Sequence, residues 1–329
     1  MPYTNFPHGI TSFGVPVFGG GFVTQGKVYF VHPTAGSDGN EGTEITRPLK
    51  TVLTAYNKCI TGQNDTIYLL SAGNTGSATT DYWSAQLDWS KNCVHLIGVC
   101  APTMIGQRAR ISQATGATAI DGLLVVSGAN CIFANILIHQ GVDDATSDSA
   151  LTITGTRNYF YNVNIQGCLH GTQAQAGSLT CATITGGEEN TFERCVFGTD
   201  TIAQGANNCL HFTADSRANT FLDCIFLTCS SSGTTEHVQI DADSLLGTTL
   251  FKNCAFLNSP TAAGAVNSMT LAIGPSRATT ATDGTILLDN CTSCGVTDMG
   301  VGGCVVAAPN CGSASDITAG DIAVAVAPA

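Results

Sequence analysis

The stretch Asn190-Thr-Phe-Glu-Arg-Cys-Val-Phe197 decides the fold, because the chain repeats it. Close copies are Asn219-Thr-Phe-Leu-Asp-Cys-Ile-Phe226 and Thr249-Leu-Phe-Lys-Asn-Cys-Ala-Phe256. Looser copies lie at 94–99, 131–138, 158–165 and 286–291. If the large apolar residue of each copy is taken as its anchor, the anchors recur roughly every 30 residues, which is a solenoid period. The anchors are Leu96, Phe133, Phe160, Phe192, Phe221, Phe251 and Leu288.

Within each copy, apolar residues stand at the anchor and at the third and fifth positions after it. A single strand alternates with period two, so the odd step of three predicts that the chain turns a corner there. The second position after the anchor would form that corner, and Gly, Asn and Asp tolerate the left-handed backbone that a tight corner needs. Only the arginine departs from this preference among the corner residues, which are Gly98, Asn135, Asn162, Arg194, Asp223, Asn253 and Asn290.

A second apolar strand precedes each copy with nearly the same spacing. These strands are predicted at 123–125, 151–153, 183–184, 210–212, 238–240 and 271–273. Two strands recurring together indicate coils of one sheet lying ~4.8 Å apart, with equivalent side chains in columns. We expect an interior column at Phe133, Phe160, Phe192, Phe221 and Phe251, beside a second column at Cys195, Cys224 and Cys254.

This pattern resembles the right-handed parallel β-helix of pectin-lyase-like proteins over 27–291. The resemblance implies an all-β solenoid. A strand, the turn Gly36-Ser-Asp-Gly-Asn40, a helix near 48–59 and Asp65-Thr-Ile-Tyr-Leu69 are similar to the opening of many such proteins, in which the helix caps the first coil.

The helix is expected to begin at its proline and to present one apolar face. That face comprises Leu49, Val52, Leu53 and Tyr56. The predicted organisation is an extended arm at 1–26, a β-helix body at 27–294, and a capping or oligomer-contact segment at 295–329.

Composition excludes several classes of function. Charged residues make up only 11% of the 329 residues, and the net charge is −12, which argues against nucleic acid or anionic lipid as partner. The chain has no apolar run of ~18 residues, so no membrane span is expected. Its fifteen cysteines are odd in number and several fall at core positions, which predicts synthesis in a reducing cytoplasm.

The first 26 residues are extended and apolar. Prolines and the Gly19–Gly21 run make them hinge-like, so they are either a strand lying on the body or a docking arm inserted into a larger assembly. We favour the arm, because the glycines separate it from the body. Its predicted attachment residues are Tyr3, Phe6, Ile10, Phe13, Val15, Val17 and Phe18.

Glycosidic cleavage would need two carboxylates ~5–10 Å apart in a groove. Asp215 and Asp243 each follow the second strand by three residues in neighbouring coils, and Asp241 is close by. Solvated turn residues are the favoured interpretation, because aromatic side chains that could hold a sugar ring are scarce nearby. A lyase would need a calcium-binding acid cluster beside a basic residue, and no such cluster is evident.

Two metal sites can be considered, and neither is favoured. The loop 37–44 carries Asp38, Asn40, Glu41 and Glu44 but lacks the ligand spacing of a calcium-binding loop. Four thiols near the C-terminus could bind zinc, but one already has a place in the repeat and their spacing lacks a second CxxC. They are Cys291, Cys294, Cys304 and Cys311. No metal or other cofactor is therefore expected.

The opening Thr4-to-Val17 is similar to those of bacteriophage head-decoration, head-fibre and spike proteins. This resemblance implies a structural virion protein attached through the arm to other virion proteins, with its body projecting outward, in contact with host glycans and forming a homotrimer. An enzyme is not the favoured interpretation. The alternatives are a tailspike-type polysaccharide depolymerase using Asp215, Asp241 or Asp243, and a non-enzymatic glycan-binding adhesin.

Overall fold

The structure is a computed structural model. It describes residues 11–12, 15–16, 26–71, 80–114, 116–118, 120–147, 149–175, 177, 179–232, 236–259, 267–275, 284–300, 305–307, 310–314 and 323–324.

The regular structure of the described chain is almost entirely β-strand, with one α-helix, α1 (Val52–Lys58), and a single 3-10 turn at Gln173–Gln175. The first strands are β1 (Thr11–Ser12), β2 (Val15–Pro16), β3 (Val28–Val31), β4 (Asp65–Leu70), β5 (Thr80–Trp83), β6 (Leu87–Trp89), β7 (Val94–Val99), β8 (Arg110–Gln113) and β9 (Leu124–Val126). The next are β10 (Ile132–Ala134), β11 (Leu137–His139), β12 (Leu151–Ile153), β13 (Tyr159–Tyr161), β14 (Asn164–Gln166), β15 (Thr180–Thr185), β16 (Thr191–Glu193), β17 (Val196–Gly198), β18 (Asn208–Ala214), β19 (Thr220–Leu222) and β20 (Ile225–Thr228). The last are β21 (Val238–Ile240), β22 (Thr248–Lys252), β23 (Ala255–Asn258), β24 (Met269–Pro275), β25 (Thr285–Asp289), β26 (Thr292–Cys294), β27 (Val296–Gly300), β28 (Val305–Ala307), β29 (Gly312–Ala314) and β30 (Ala323–Val324).

Strands β3 to β30 form three long sheets that share one interior. Sheet 1 has ten strands in the order β3-β4-β7-β10-β13-β16-β19-β22-β25-β28. Sheet 2 has ten in the order β5-β8-β11-β14-β17-β20-β23-β26-β29-β30, and sheet 3 has eight in the order β6-β9-β12-β15-β18-β21-β24-β27. Each strand pairs in parallel with its equivalents one coil before and one coil after, except for the antiparallel pair β29–β30. The predicted all-β parallel β-helix is therefore confirmed.

The predicted phenylalanine column lies in the interior, with every member fully buried. Phe160 is opposite Phe192, Phe192 is opposite Phe221, and Phe221 is opposite Phe251 in the parallel registers. Their rings stack at centroid distances of 4.6, 4.8 and 4.4 Å. Such pairs are each worth about 0.5–1.5 kcal/mol beyond the burial of their area, so the column ties consecutive coils together.

The predicted corner connects sheet 1 to sheet 2, and Arg194 adopts the same backbone conformation there as the asparagines do. Asn162 has φ 52° and Arg194 has φ 55°, both left-handed. Gly98 does not form a corner, because β7 runs straight through it opposite Leu69. A Cβ there would lie 2.0 Å from the Asn135 carbonyl oxygen, so this glycine serves a close backbone approach.

Two of the predicted second strands have shifted registers. Val126, rather than Val125, lies opposite Ile153, because Leu123 and Leu124 are both buried and simple alternation cannot choose between them. In the later coil, Ile240 lies opposite Pro275, two residues after the predicted partner Ile273. A shift of two residues does not exchange the two faces of a strand.

The capping helix is shorter than 48–59, because Thr51 is its N-cap and accepts a hydrogen bond from the Thr54 amide. Val52, Ala55 and Tyr56 therefore form the buried face. Leu53, which was placed on that face, is 48% exposed. Leu49 is buried ahead of the helix and bridges to β3.

Asp38, in the loop weighed for calcium, uses its carboxylate to hold the start of this helix. Its Oδ1 accepts from the backbone amides of Lys50 and Thr51 at 2.9 and 3.0 Å. The Thr51 hydroxyl donates to the second carboxylate oxygen at 3.0 Å. Asp38 is thus a turn residue of the cap.

The two ends of the chain differ in how much the structure describes. Val15 belongs to β2, which pairs antiparallel with β1. The other predicted attachment residues lie outside the described residues; they are Tyr3, Phe6, Ile10, Phe13, Val17 and Phe18. At the other end, β27, β28 and β29 extend all three sheets beyond residue 294. Within the described residues, no helix is long and apolar enough to cross a membrane.

Candidate functional site

The acids singled out in the sequence lie at the outer face of sheet 3 and at the corner that follows it. Along β18 and β21, Leu210, Phe212, Val238 and Ile240 point inward and are buried. Alternation then places His211 and Gln239 on the outer face, where they are opposite one another in register.

Asp241 is the centre of a polar network on this face. Its Oδ1 lies 2.9 Å from His211 Nε2, and the two side chains are 35% and 22% exposed. Gln239 Nε2 donates to the same oxygen at 3.5 Å, and Asn208 Nδ2 donates to Gln239 Oε1. A carboxylate and an imidazole held together in this way can accept or deliver a proton.

Asp215 and Asp243 belong to the turn after the strand rather than to this network. They lie in neighbouring coils, as predicted, because the Ser216 amide donates to the Ser244 carbonyl at 2.8 Å. Both aspartates are exposed and have left-handed backbones, with φ of 23° and 56°. Their turn geometry is one that aspartate tolerates better than most residues.

The predicted cysteine column is an interior structural feature. Each thiol donates to the backbone carbonyl of the phenylalanine one coil earlier: Cys195 to Phe160, Cys224 to Phe192, and Cys254 to Phe221, at 3.4, 3.4 and 3.5 Å. Burial raises the pKa of the Cys224 thiol well above its ordinary value, so Cys224 is held in the thiol form.

Two of the four thiols considered for zinc continue this column. Cys291 donates to the Phe251 carbonyl at 3.4 Å, and its own amide donates to Cys311 Sγ at 3.4 Å. Cys294 is half-buried, and Cys304 lies outside the described residues. No group of three metal-type side chains is found within the described part of the chain.

Sequence reasoning missed a buried asparagine ladder. Asn158, Asn190 and Asn219 stand two residues before their anchors, and all are at most 1% exposed. The backbone amide of Asn158 donates to Asn190 Oδ1 at 2.9 Å, and the backbone amide of Asn190 donates to Asn219 Oδ1 at 3.0 Å. The signal was present, because the repeat carries asparagine at this position in three consecutive copies.

Sequence reasoning also missed a polar cleft of about 390 Å³ on the outer face of sheet 2. Gln113, His139 and Gln166 come from three adjacent coils and line it together with loop residues near 169–171 and 201–202. His139 Nδ1 lies 3.2 Å from the Ser112 hydroxyl. The position six residues after the anchor is polar in only two copies, too weak a signal to identify a site.

Comparisons with known proteins show the fold. The chain is similar to the crystal structure of pectate lyase Pel9A, with a TM-score of 0.58 and 11% identity, covering 83% of this chain and 64% of that one. It is similar to a rhamnogalacturonan lyase, also with a TM-score of 0.58, with 13% identity, covering 82% of this chain and 68% of that one. No protein-family model matches the chain, and a search of curated proteins finds no relative. The chain therefore shares the parallel β-helix fold of these two structures.

Proposed function

We propose that the protein is a structural component of a bacteriophage virion, a capsid decoration, head fibre or spike. Residues 1–26 attach it to other virion proteins, and the β-helix projects outward as a homotrimeric shaft that contacts glycans of the host surface. It is made in the host cytoplasm and resides in the virion. Support comes from the resemblance of residues 4–17 to openings of such proteins.

One observation carries the proposal, namely the unbroken interior from coil to coil. Phenylalanine rings stack on those of the next coil, and each thiol of the cysteine column donates to a backbone carbonyl one coil earlier. The backbone amide of one asparagine donates to the side chain of the asparagine in the next coil. Because every coil is fixed to the next in all three sheets, the body suits a stiff shaft. The free thiols of the described residues fit synthesis in a reducing cytoplasm.

Particle reconstitution tests the attachment. We expect the chain lacking residues 1–20 to fold with an unchanged melting temperature but to be lost from purified particles. A full-length Gly39→Trp variant is the matched control, because Gly39 is exposed and a Cβ there meets only the Ser37 hydroxyl at 3.6 Å. Undiminished incorporation of the truncated chain would refute attachment through this segment.

The second candidate is a polysaccharide depolymerase, and the His211–Asp241 contact is the observation that favours it. Asp215 and Asp243 would then supply the second carboxylate from the neighbouring turn. Purified protein incubated with host capsule or lipopolysaccharide distinguishes the two functions. Released oligosaccharide that disappears in Asp241→Asn but persists in Asp121→Asn, an exposed acid elsewhere, would establish the enzyme and contradict an inert shaft.

A further inference from the structure

We propose that the cleft on the outer face of sheet 2 binds an uncharged oligosaccharide. The inference rests on the proposed contact with host glycans and names both the place of that contact and the class of sugar. The acids near sheet 3 take no part in it.

His139 and Gln166, which line the floor of the cleft, belong to a row of side chains that has one member in each coil. Ser112, His139 and Gln166 are opposite one another in register on β8, β11 and β14. The row continues one coil earlier to Tyr82, whose side chain is 48% exposed. From Tyr82 to Gln166 the row spans three strand spacings, about 14 Å, enough for a short sugar chain lying along the helix axis.

The walls supply the two kinds of surface that a sugar ring presents. Leu169 and Ile202 offer apolar contact for the C–H face of a ring, and Thr201 offers an exposed hydroxyl. Gln113 Oε1 already accepts from the Ser112 hydroxyl and the Gly141 backbone amide, and Gln166 Nε2 already donates to Asn164 Oδ1. The Nε2 donors of Gln113 and the Oε1 acceptor of Gln166 are the groups left for sugar hydroxyls. Because the Ser112 hydroxyl is hydrogen-bonded to His139 Nδ1, the other ring nitrogen of His139, Nε2, is the one available to a ligand.

The charges around the cleft select an uncharged ligand. No lysine or arginine occurs among its described lining residues. Burial lowers the pKa of the His139 imidazole, with Arg110 lowering it further, so this ring is neutral at pH 7. His170 is paired with Asp143 at 3.0 Å, and the chain as a whole has a net charge of −12. An acidic sugar would find no lysine or arginine among these lining residues and would be opposed by the net negative charge of the chain.

Gly171 allows the cleft to be filled without disturbing the fold. It lines the cleft from an exposed loop, and a Cβ added there meets no atom within 4 Å. Gly171→Trp therefore places a large side chain in the opening of the cleft. Gly39→Trp is the control, because it adds the same side chain at a residue that does not line the cleft. Gln166→Ala is the milder variant, since it removes one amide from the floor.

The experiment measures binding of the full chain to an array of neutral hexose and N-acetylhexosamine oligosaccharides, with oligogalacturonate as the charged comparison. Affinities for the bound sugars are then obtained by titration. We expect binding of neutral sugars alone, at least tenfold weaker in Gly171→Trp, about threefold to tenfold weaker in Gln166→Ala, and unchanged in Gly39→Trp. Melting temperatures establish that all variants are folded.

The outcomes separate this inference from the proposed function. Neutral-sugar binding that survives Gly171→Trp, or binding of oligogalacturonate alone, would overturn the cleft as the site while leaving glycan contact intact. Absence of binding to every sugar would overturn both the cleft and the glycan contact. Attachment to the particle is judged separately by the truncation of residues 1–20.

Discussion

Asn162 and Arg194 occupy the same corner in consecutive coils, yet only Asn162 joins the side-chain ladder there. Asn162 Nδ2 donates to Asn135 Oδ1 at 2.9 Å, one coil earlier. The same ladder resumes later, where Asn253 donates to Asp223 and Asn290 donates to Asn253. Arg194 interrupts the ladder between these two parts, and Asn162 Oδ1 is left buried with no hydrogen-bond partner in the described residues.

Replacing Arg194 by asparagine should therefore stabilise the fold. The new amide would donate to Asn162 Oδ1, and asparagine tolerates the φ of 55° better than arginine does. We expect a gain of about 1–2 kcal/mol in the free energy of unfolding, measured with denaturant. Arg194→Ala is the control, because it removes the arginine without supplying an amide. An Asn variant no more stable than the Ala variant would show that the unpaired acceptor has no energetic cost.

The buried asparagine ladder is expected to be more costly to break. Asn190→Leu keeps the branching of the side chain but leaves the backbone amide of Asn158 without its acceptor. It also removes the bond from Asn190 Nδ2 to the Gly155 carbonyl, which is 3.0 Å long. Each buried group left unpaired costs about 1–3 kcal/mol, so the free energy of unfolding should fall by about 3 kcal/mol or more. Asn57→Leu, on the exposed face of α1, is the control and should change it little.

The repeat made the interior predictable, because stacked coils require equivalent residues in equivalent places. Phe192 and Phe221 could be paired from spacing alone, since alternation and period both constrain them. Gly98 could not, because glycine at a corner and glycine at a close backbone approach look alike in sequence. Leu53 was misplaced because the helix boundary depends on the Thr51 cap rather than on apolar spacing.

The cleft was beyond sequence reasoning for a different reason. Its floor comes from strands and its walls from loops, and the loop residues Leu169 and Ile202 follow no repeat. Their meeting depends on how each loop folds back over sheet 2, which local pattern does not encode. The contact of His211 with Asp241 was similarly hidden. His211 lies opposite Gln239 in the next coil, but its ring contacts Asp241, two residues farther along.

His237 should make the fold sensitive to acid. It is fully buried against Phe256, with ring centroids 5.9 Å apart, and burial lowers its pKa from 6.5 to about 4 despite a contact with the Leu257 backbone. The unfolded chain then binds a proton that the folded chain does not, so stability falls as pH drops below about 6.5. The full loss is reached near pH 4, at about 3 kcal/mol from this residue.

The measurement is the free energy of unfolding between pH 8 and pH 4 in the parent and in His237→Leu. Carboxylates contribute to the slope in both proteins, so the difference between the two curves isolates His237. We expect the variant to lose less stability over this range, whereas parallel curves would contradict a buried neutral imidazole. His170→Gln, at a half-exposed histidine, serves as the control.

The cysteine column should tolerate an aliphatic side chain better than a hydroxyl. Cys224 is 1% exposed, and the equivalent position of an earlier coil is Val163, also buried. Cys224→Val should therefore cost less than about 1.5 kcal/mol of unfolding free energy. Cys224→Ser keeps the size but brings a more strongly hydrated group into the interior, and we expect it to cost about 1–3 kcal/mol. If serine proved the milder change, the thiol would be acting through its hydrogen bond to the Phe192 carbonyl rather than as a small apolar group.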